Sequence, residues 1–120
     1  MALNTMQRPT PHFIDTDALC DEAESAGFAW ADAKAAADAL EETRKSVLAS
    51  TMTGFLAEGH ANNKAETLAL ADSAYIDFVR KMVAARKAAD RARVHYDILK
   101  IRIELLRTNA STERAAMSMR

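Results

Sequence analysis

The chain is poor in everything that punctuates a backbone. Its 120 residues hold three glycines, two prolines and one cysteine, and aromatics make up only 6 %. Sandwiches and barrels need turn residues every 8–12 positions or so, which so few glycines and prolines cannot supply. A single cysteine, Cys20, excludes an intrachain disulfide framework. On an alanine-rich helix such a lone thiol reads as a small buried residue rather than a nucleophile. No apolar run approaches the 18 or so residues that span a bilayer, so no membrane partner is expected. Met1 to His12 lacks both a charged start and an apolar core, and does not read as a signal peptide. The length suits one domain, and the expected setting is the cytoplasm.

What is present is helix-forming. Apolar residues are 49 % of the chain, many of them alanine. A heptad stripe runs through the second half: Leu68, Ala71, Tyr75, Phe78, Met82, Ala85, Ala89, Ala92, Tyr96, Leu99, Ile103, Leu106. Steps of three and four throughout keep one seam of a long helix facing a partner helix. Such a helix, of roughly 40 residues, would be about 60 Å long. A rod of that length leaves little room for a concave active site.

The first half supplies the partner. Asp15 is a suitable N-cap, and Ile14 with Leu19 would form a hydrophobic staple. A seam follows at Leu19, Ala23, Ala26, Trp30, Ala33, Ala37, Leu40, Arg44, Val47 and Thr51, of which Arg44 and Thr51 are the weak members. Gly27 inside this helix costs about 1 kcal/mol relative to alanine, which suggests a close contact. The helix should end near Glu58, with Gly59 as the left-handed residue just beyond it.

The expected architecture is therefore all-α: a long antiparallel, coiled-coil-like hairpin assembling into a homo-oligomer. Residues 1–12, with Pro9 and Pro11, read as a flexible arm, 13–108 as the hairpin with its turn near 59–64, and 109–120 as a short C-terminal helix or tail. Asn109 or Ser111 could cap that helix, from Thr112 to about Met119. Folding at about residue 61 sets Trp30 against Ala92, Leu40 against Met82, Tyr96 against Ala26, Leu99 against Ala23 and Ile103 against Leu19. Large residues mostly meet small ones, as interdigitated packing requires.

Off this seam lies a second apolar stripe, Val94, Ile98, Ile101 and Leu105. One hairpin cannot cover both faces of a helix. The expected cover is a second copy of the chain, the alternative being the tail folded back.

No catalytic constellation is recognisable. His12, His60 and His95 are scattered, and no HExxH, CxxC, glycine-rich phosphate loop or GxSxG occurs, so no metal, cofactor or enzymatic role is expected. Charge is the informative feature. The net charge is −1, yet His12–Glu42 holds nine acids and one base while Arg80–Arg107 holds nine bases and three acids. Arg86, Arg93, Lys100 and Arg107 recur every seven residues, the last three each with an acid three residues earlier: Asp90, Asp97 and Glu104. The plainer reading is a row of surface ion pairs, with Lys81 and Arg102 placed to meet acids of the first helix. Arg80, Lys87 and Arg91 are freer. Repeated around an oligomer, such bases would make a polyanion track.

The chain resembles the UvsY-type recombination mediators of tailed phages. The likeness begins at Phe13-Ile14-Asp15, continues through Leu19 and Glu22-Ala23, and reaches an aromatic at Trp30. It then follows Arg44-Lys45-Ser46-Val47-Leu48, the glycine-ended helix at Gly59, and a long second helix with a polar tail, over about 100 residues. The resemblance implies an oligomeric, ring-like protein that binds single-stranded DNA and helps a recombinase replace the single-strand-binding protein. The family's Lys-x-Arg pair for DNA falls here on Thr51 and Thr53, which carry no charge. DNA contact would then fall to Arg44, Lys45, Lys64, Arg80, Lys87 and Arg91. The rival reading is a phage structural or adaptor protein whose hairpin serves only protein–protein assembly.

Overall fold

The computed structural model describes residues 15–119. They form three helices: α1, Thr16–Ala57; α2, Asn62–Leu70; and α3, Ser73–Ser118. The molecule is a flat rod, 86 × 43 × 18 Å. Helices α1 and α3 lie side by side along most of it, and α2 packs mainly on α1.

Asp15 starts α1, its carboxylate accepting from the Ala18 backbone N–H at 3.1 Å. The stapling partner Ile14 lies outside the described residues. Helix α1 stops at Glu58, and Gly59 takes φ +97°, the left-handed conformation that glycine tolerates best.

Every seam residue of α3 from Tyr75 to Leu106 is buried or half-buried. On α1 the only exposed seam member is Arg44. The register is the expected one: Leu99 packs on Ala23 and Ala26, surrounded by Leu19, Tyr96 and Ile103. The Trp30 ring stacks on Tyr96 at 5.9 Å, one turn beyond its expected partner Ala92. Side chains on a helix lean toward its N-terminus, and in an antiparallel pair that direction leads to higher numbers on α3. Gly27 has the close contact its position implied. A Cβ there would sit 3.2 Å from the Tyr96 ring.

The core is thin. Its buried members are alanines (23, 26, 37, 65, 69 and 89) with two large side chains, Tyr75 and Leu99. Alanine layers bring the helices close but remove little apolar surface from water. Such a hairpin gains from further burial elsewhere.

Three expectations fail. The stripe from Leu68 to Leu106 is not one helix. The chain breaks at Ala71, and Asp72 caps α3 by accepting from Ala74 and Tyr75 N–H at 3.1 and 3.4 Å. The acidic cap outweighs a heptad pattern that runs straight across it. Conversely, no separate C-terminal helix forms, because α3 continues through Asn109 to Ser118. The Thr108 and Thr112 hydroxyls donate back to the carbonyls of Glu104 and Thr108 at 3.0 Å instead of capping a new start. A continuous α3 cannot fold its tail over the stripe at Val94–Leu105. Finally, Cys20 is exposed, because it lies beside the Leu19–Ala23 seam rather than on it.

Candidate nucleic-acid interface

The register of α1 against α3 decides which charges meet. Arg86 crosses to α1, where its guanidinium Nη2 lies 2.6 Å from Asp38 and its Nε donates to Glu41 at 2.7 Å. Asp38 also accepts from Lys34 at 2.8 Å. These hydrogen bonds, from Lys34 first and then Arg86, hold the Asp38 carboxyl below its ordinary pKa. The bonds to Asp38 and Glu41 raise that of the Arg86 guanidinium. Among the described residues this is the one ion-pair cluster joining two helices. Lys81 and Arg102 make no such link among the described residues, although both flank the seam.

Farther along α3 the expected surface pairs are present at Lys100–Asp97, 3.3 Å, and Arg107–Glu104, 3.4 Å. Arg93 turns forward to Asp97 at 3.8 Å and not back to Asp90. Each is exposed and so contributes little to stability. Lys100 also lies 4.5 Å above the Tyr96 ring centre.

Beside the Arg86 clamp an open groove of about 960 Å³ runs along α3. Its lining brings together Arg44 from α1 with Lys87 and Arg91 from α3, among the apolar side chains of Val83, Val94 and Ile98. No ion pair engages Arg44, Lys87 or Arg91 among the described residues. Asp90, His95 and the paired Arg86 and Glu41 also border the groove, so its cations outnumber its carboxylates by four to two. The arrangement suits a flexible polyanion: cations for phosphates, an apolar floor for bases or sugars, and no enclosed pocket that would select one base.

Three of the six bases expected to contact nucleic acid thus converge. The other three do not line the groove. Lys45 and Lys64 are exposed on α1 and α2, and Arg80 is paired with Asp77 at 3.7 Å. The second apolar stripe is bare, with Val94, Ile98, Ile101 and Leu105 each 44–59 % exposed. Val94 and Ile98 line the groove; Ile101 and Leu105 line a smaller hollow with Asp97, Lys100 and Glu104. The sequence reading missed Val83, 59 % exposed, because it falls off the three-four line of that stripe. His95 is exposed on the helix surface, as its sequence position suggests, and also borders the groove.

Among the described residues no three His, Cys, Asp or Glu side chains are grouped to hold a metal ion. None of the described helices is long and apolar enough to cross a membrane. No protein-family model matches this chain, and comparisons with curated proteins and with solved structures returned no match.

Proposed function

We propose that this protein is a non-enzymatic recombination mediator. It binds the backbone of single-stranded DNA without sequence preference, works as a homo-oligomer, and helps load a recombinase in place of the single-strand-binding protein. Its working place is the cytoplasm, that of the host if a phage encodes it. One observation carries the binding half of this reading: Arg44, Lys87 and Arg91, remote in sequence or on different helices and without an ion-pair partner among the described residues, converge on one open, partly apolar groove. The mediator half is supported by the Phe13-Ile14-Asp15, Leu19, Glu22-Ala23 and Trp30 string and by the uncovered stripe on α3.

Fluorescence anisotropy with a labelled oligodeoxythymidylate tests it. Binding should weaken as salt rises, with a logarithmic slope of about −0.7 per phosphate contacted. Combined Arg44→Glu, Lys87→Glu and Arg91→Glu reversal removes three such contacts and should flatten that slope by about 2. Absence of binding at low salt refutes the reading.

The second reading is a phage assembly or adaptor protein. It is favoured by the Arg86 clamp and the surface pairs of Arg80, Arg93, Lys100 and Arg107, which match much of the basic face with acids of the same chain. It requires an oligomer indifferent to oligonucleotide, with a capsid or tail protein as partner.

A further inference from the structure

We propose that the exposed stripe of α3 pairs with the same stripe of a second copy, the two α3 helices running parallel, and that a polyanion bound at one end of the pair tightens it. The coupling to a polyanion rests on the nucleic-acid reading above; the pairing does not.

The stripe is a second three-four repeat on the same helix. Val94, Ile98, Ile101 and Leu105 step by four, three and four. At 3.6 residues per turn its line lies roughly 160° around α3 from the Tyr75–Leu106 seam. Helix α1 and a second copy therefore occupy opposite sides of α3 without contesting space. The side chains are 44–59 % exposed, and the straight run of α3 to Ser118 leaves them uncovered among the described residues.

The flanking charges choose the occupant and its direction. Along one edge of the stripe stand Asp90, Asp97 and Glu104, one per heptad; along the other stand His95 and Arg102. In a parallel pair each edge faces the opposite edge of the copy, residue i meeting residue i+5, as in coiled coils. Asp97, which also holds Lys100 and Arg93 of its own helix, then meets Arg102 of the second copy, twice by symmetry. An antiparallel pair sets like edge against like, Asp97 against Glu104, and gives Arg102 no acid. Charge pairing thus favours the parallel arrangement, with a copy of the chain itself as the complementary surface. Stripe on stripe is a self-complementary contact that closes at two copies, so a ring would need a different contact in addition.

Toward the N-terminus of α3 the next inward positions are Arg91 and Lys87. A parallel pair brings both copies of each to the same end, close to each Arg44, whereas an antiparallel pair sends the two sets to opposite ends. Four converging cations oppose the pairing of only four apolar residues per copy. The second copy covers Val94 and Ile98, which leaves a strand the Val83, Arg44, Lys87 and Arg91 end of the groove; lying across that end it neutralises the cations, so strand and second copy favour each other's binding reciprocally.

Site-directed cross-linking tests this in the full chain carrying Cys20→Ser. Leu105→Cys and Val94→Cys are surface changes that leave the α1–α3 seam intact. In a parallel pair each variant forms a disulfide with its own copy under copper–phenanthroline oxidation, faster than a Glu66→Cys control on α2 that reports random collision. In Leu105→Cys, which lies outside the Arg44–Lys87–Arg91 groove, an oligodeoxythymidylate should raise the rate at least about five-fold, the lower end of ordinary coupling between sites. Cross-linking only in a mixture of the two variants would show an antiparallel pair and overturn the proposal. Rates no better than the control, with a monomer by light scattering, would overturn it as well. Anisotropy on the same samples separates the remaining failures. DNA binding without a change in cross-linking rate overturns the coupling and leaves the mediator reading standing. No DNA binding overturns that reading and the coupling together, while self-cross-linking still supports the parallel pair.

Discussion

Leu99→Ala is the most informative test of the hairpin. Leu99 is 1 % exposed and is the one large side chain among the described residues that is fully buried. It rests on Ala23 and Ala26 with Leu19, Tyr96 and Ile103 around it. Truncation removes three carbons, worth about 2.4 kcal/mol at ~0.8 kcal/mol each. A cavity term adds to this because alanine neighbours are too short to fill the space, giving about 3.5 kcal/mol, inside the range seen for buried leucines. With an unfolding entropy of about 2.1 cal/mol/K per residue, the melting temperature should drop by about 15 °C. The assay is a far-UV circular dichroism melt at a concentration too low for self-association. Ile101→Ala, two residues away and 59 % exposed, should cost under about 0.5 kcal/mol under the same conditions. Equal losses for the two variants would mean that α3 does not present its Leu99 face to α1, and the packing described here would be wrong.

Three further outcomes follow from named contacts. Asp72→Ala removes the acceptor for the Ala74 and Tyr75 N–H groups and should cost about 1 kcal/mol in urea unfolding. Asp38 has its folded pKa below the ordinary 3.8. Its contribution is therefore complete above about pH 4 and is lost as the pH falls through the lowered value, so Asp38→Asn should flatten the acid limb of the stability–pH curve. Changing Ile98 and Ile101 together to Glu should give a folded monomer in light scattering; retention of a larger native mass would exclude the stripe as the self-association surface.

The seams were legible because burial on a helix leaves a period. Alternating steps of three and four found every fully buried residue of α1 and of α3 from Tyr75 onward, and the fold point near 61 set Leu99 on Ala23. Gly27 and Gly59 were readable for a related reason, since a helix admits glycine at a close approach or at its left-handed end. Periodicity failed where a local signal competes with it. Leu68 and Ala71 keep the spacing, yet Asp72 starts a new helix, and Ala71 is exposed. Asn109 and Ser111 resemble caps but lie within α3, because nothing there offers the backbone a better partner than the helix itself. Charges were the least legible feature. Arg86 belongs to the same seven-residue row as Arg93 and Lys100, and only the depth of α1 beside it decides that it crosses to Asp38 and Glu41. The groove, likewise, depends on where α1 sets Arg44 relative to Lys87 and Arg91, a distance no linear pattern records.

The stack of Trp30 on Tyr96 has a practical consequence. Trp30 is the sole indole of the chain, and its ring meets a phenol held between the bare backbone of Gly27 and the ammonium of Lys100. The hairpin thus carries its own optical gauge. Emission from that indole, and energy passed to it from the phenol, will change when the two rods separate, so opening and closing of the molecule can be followed without attaching a dye.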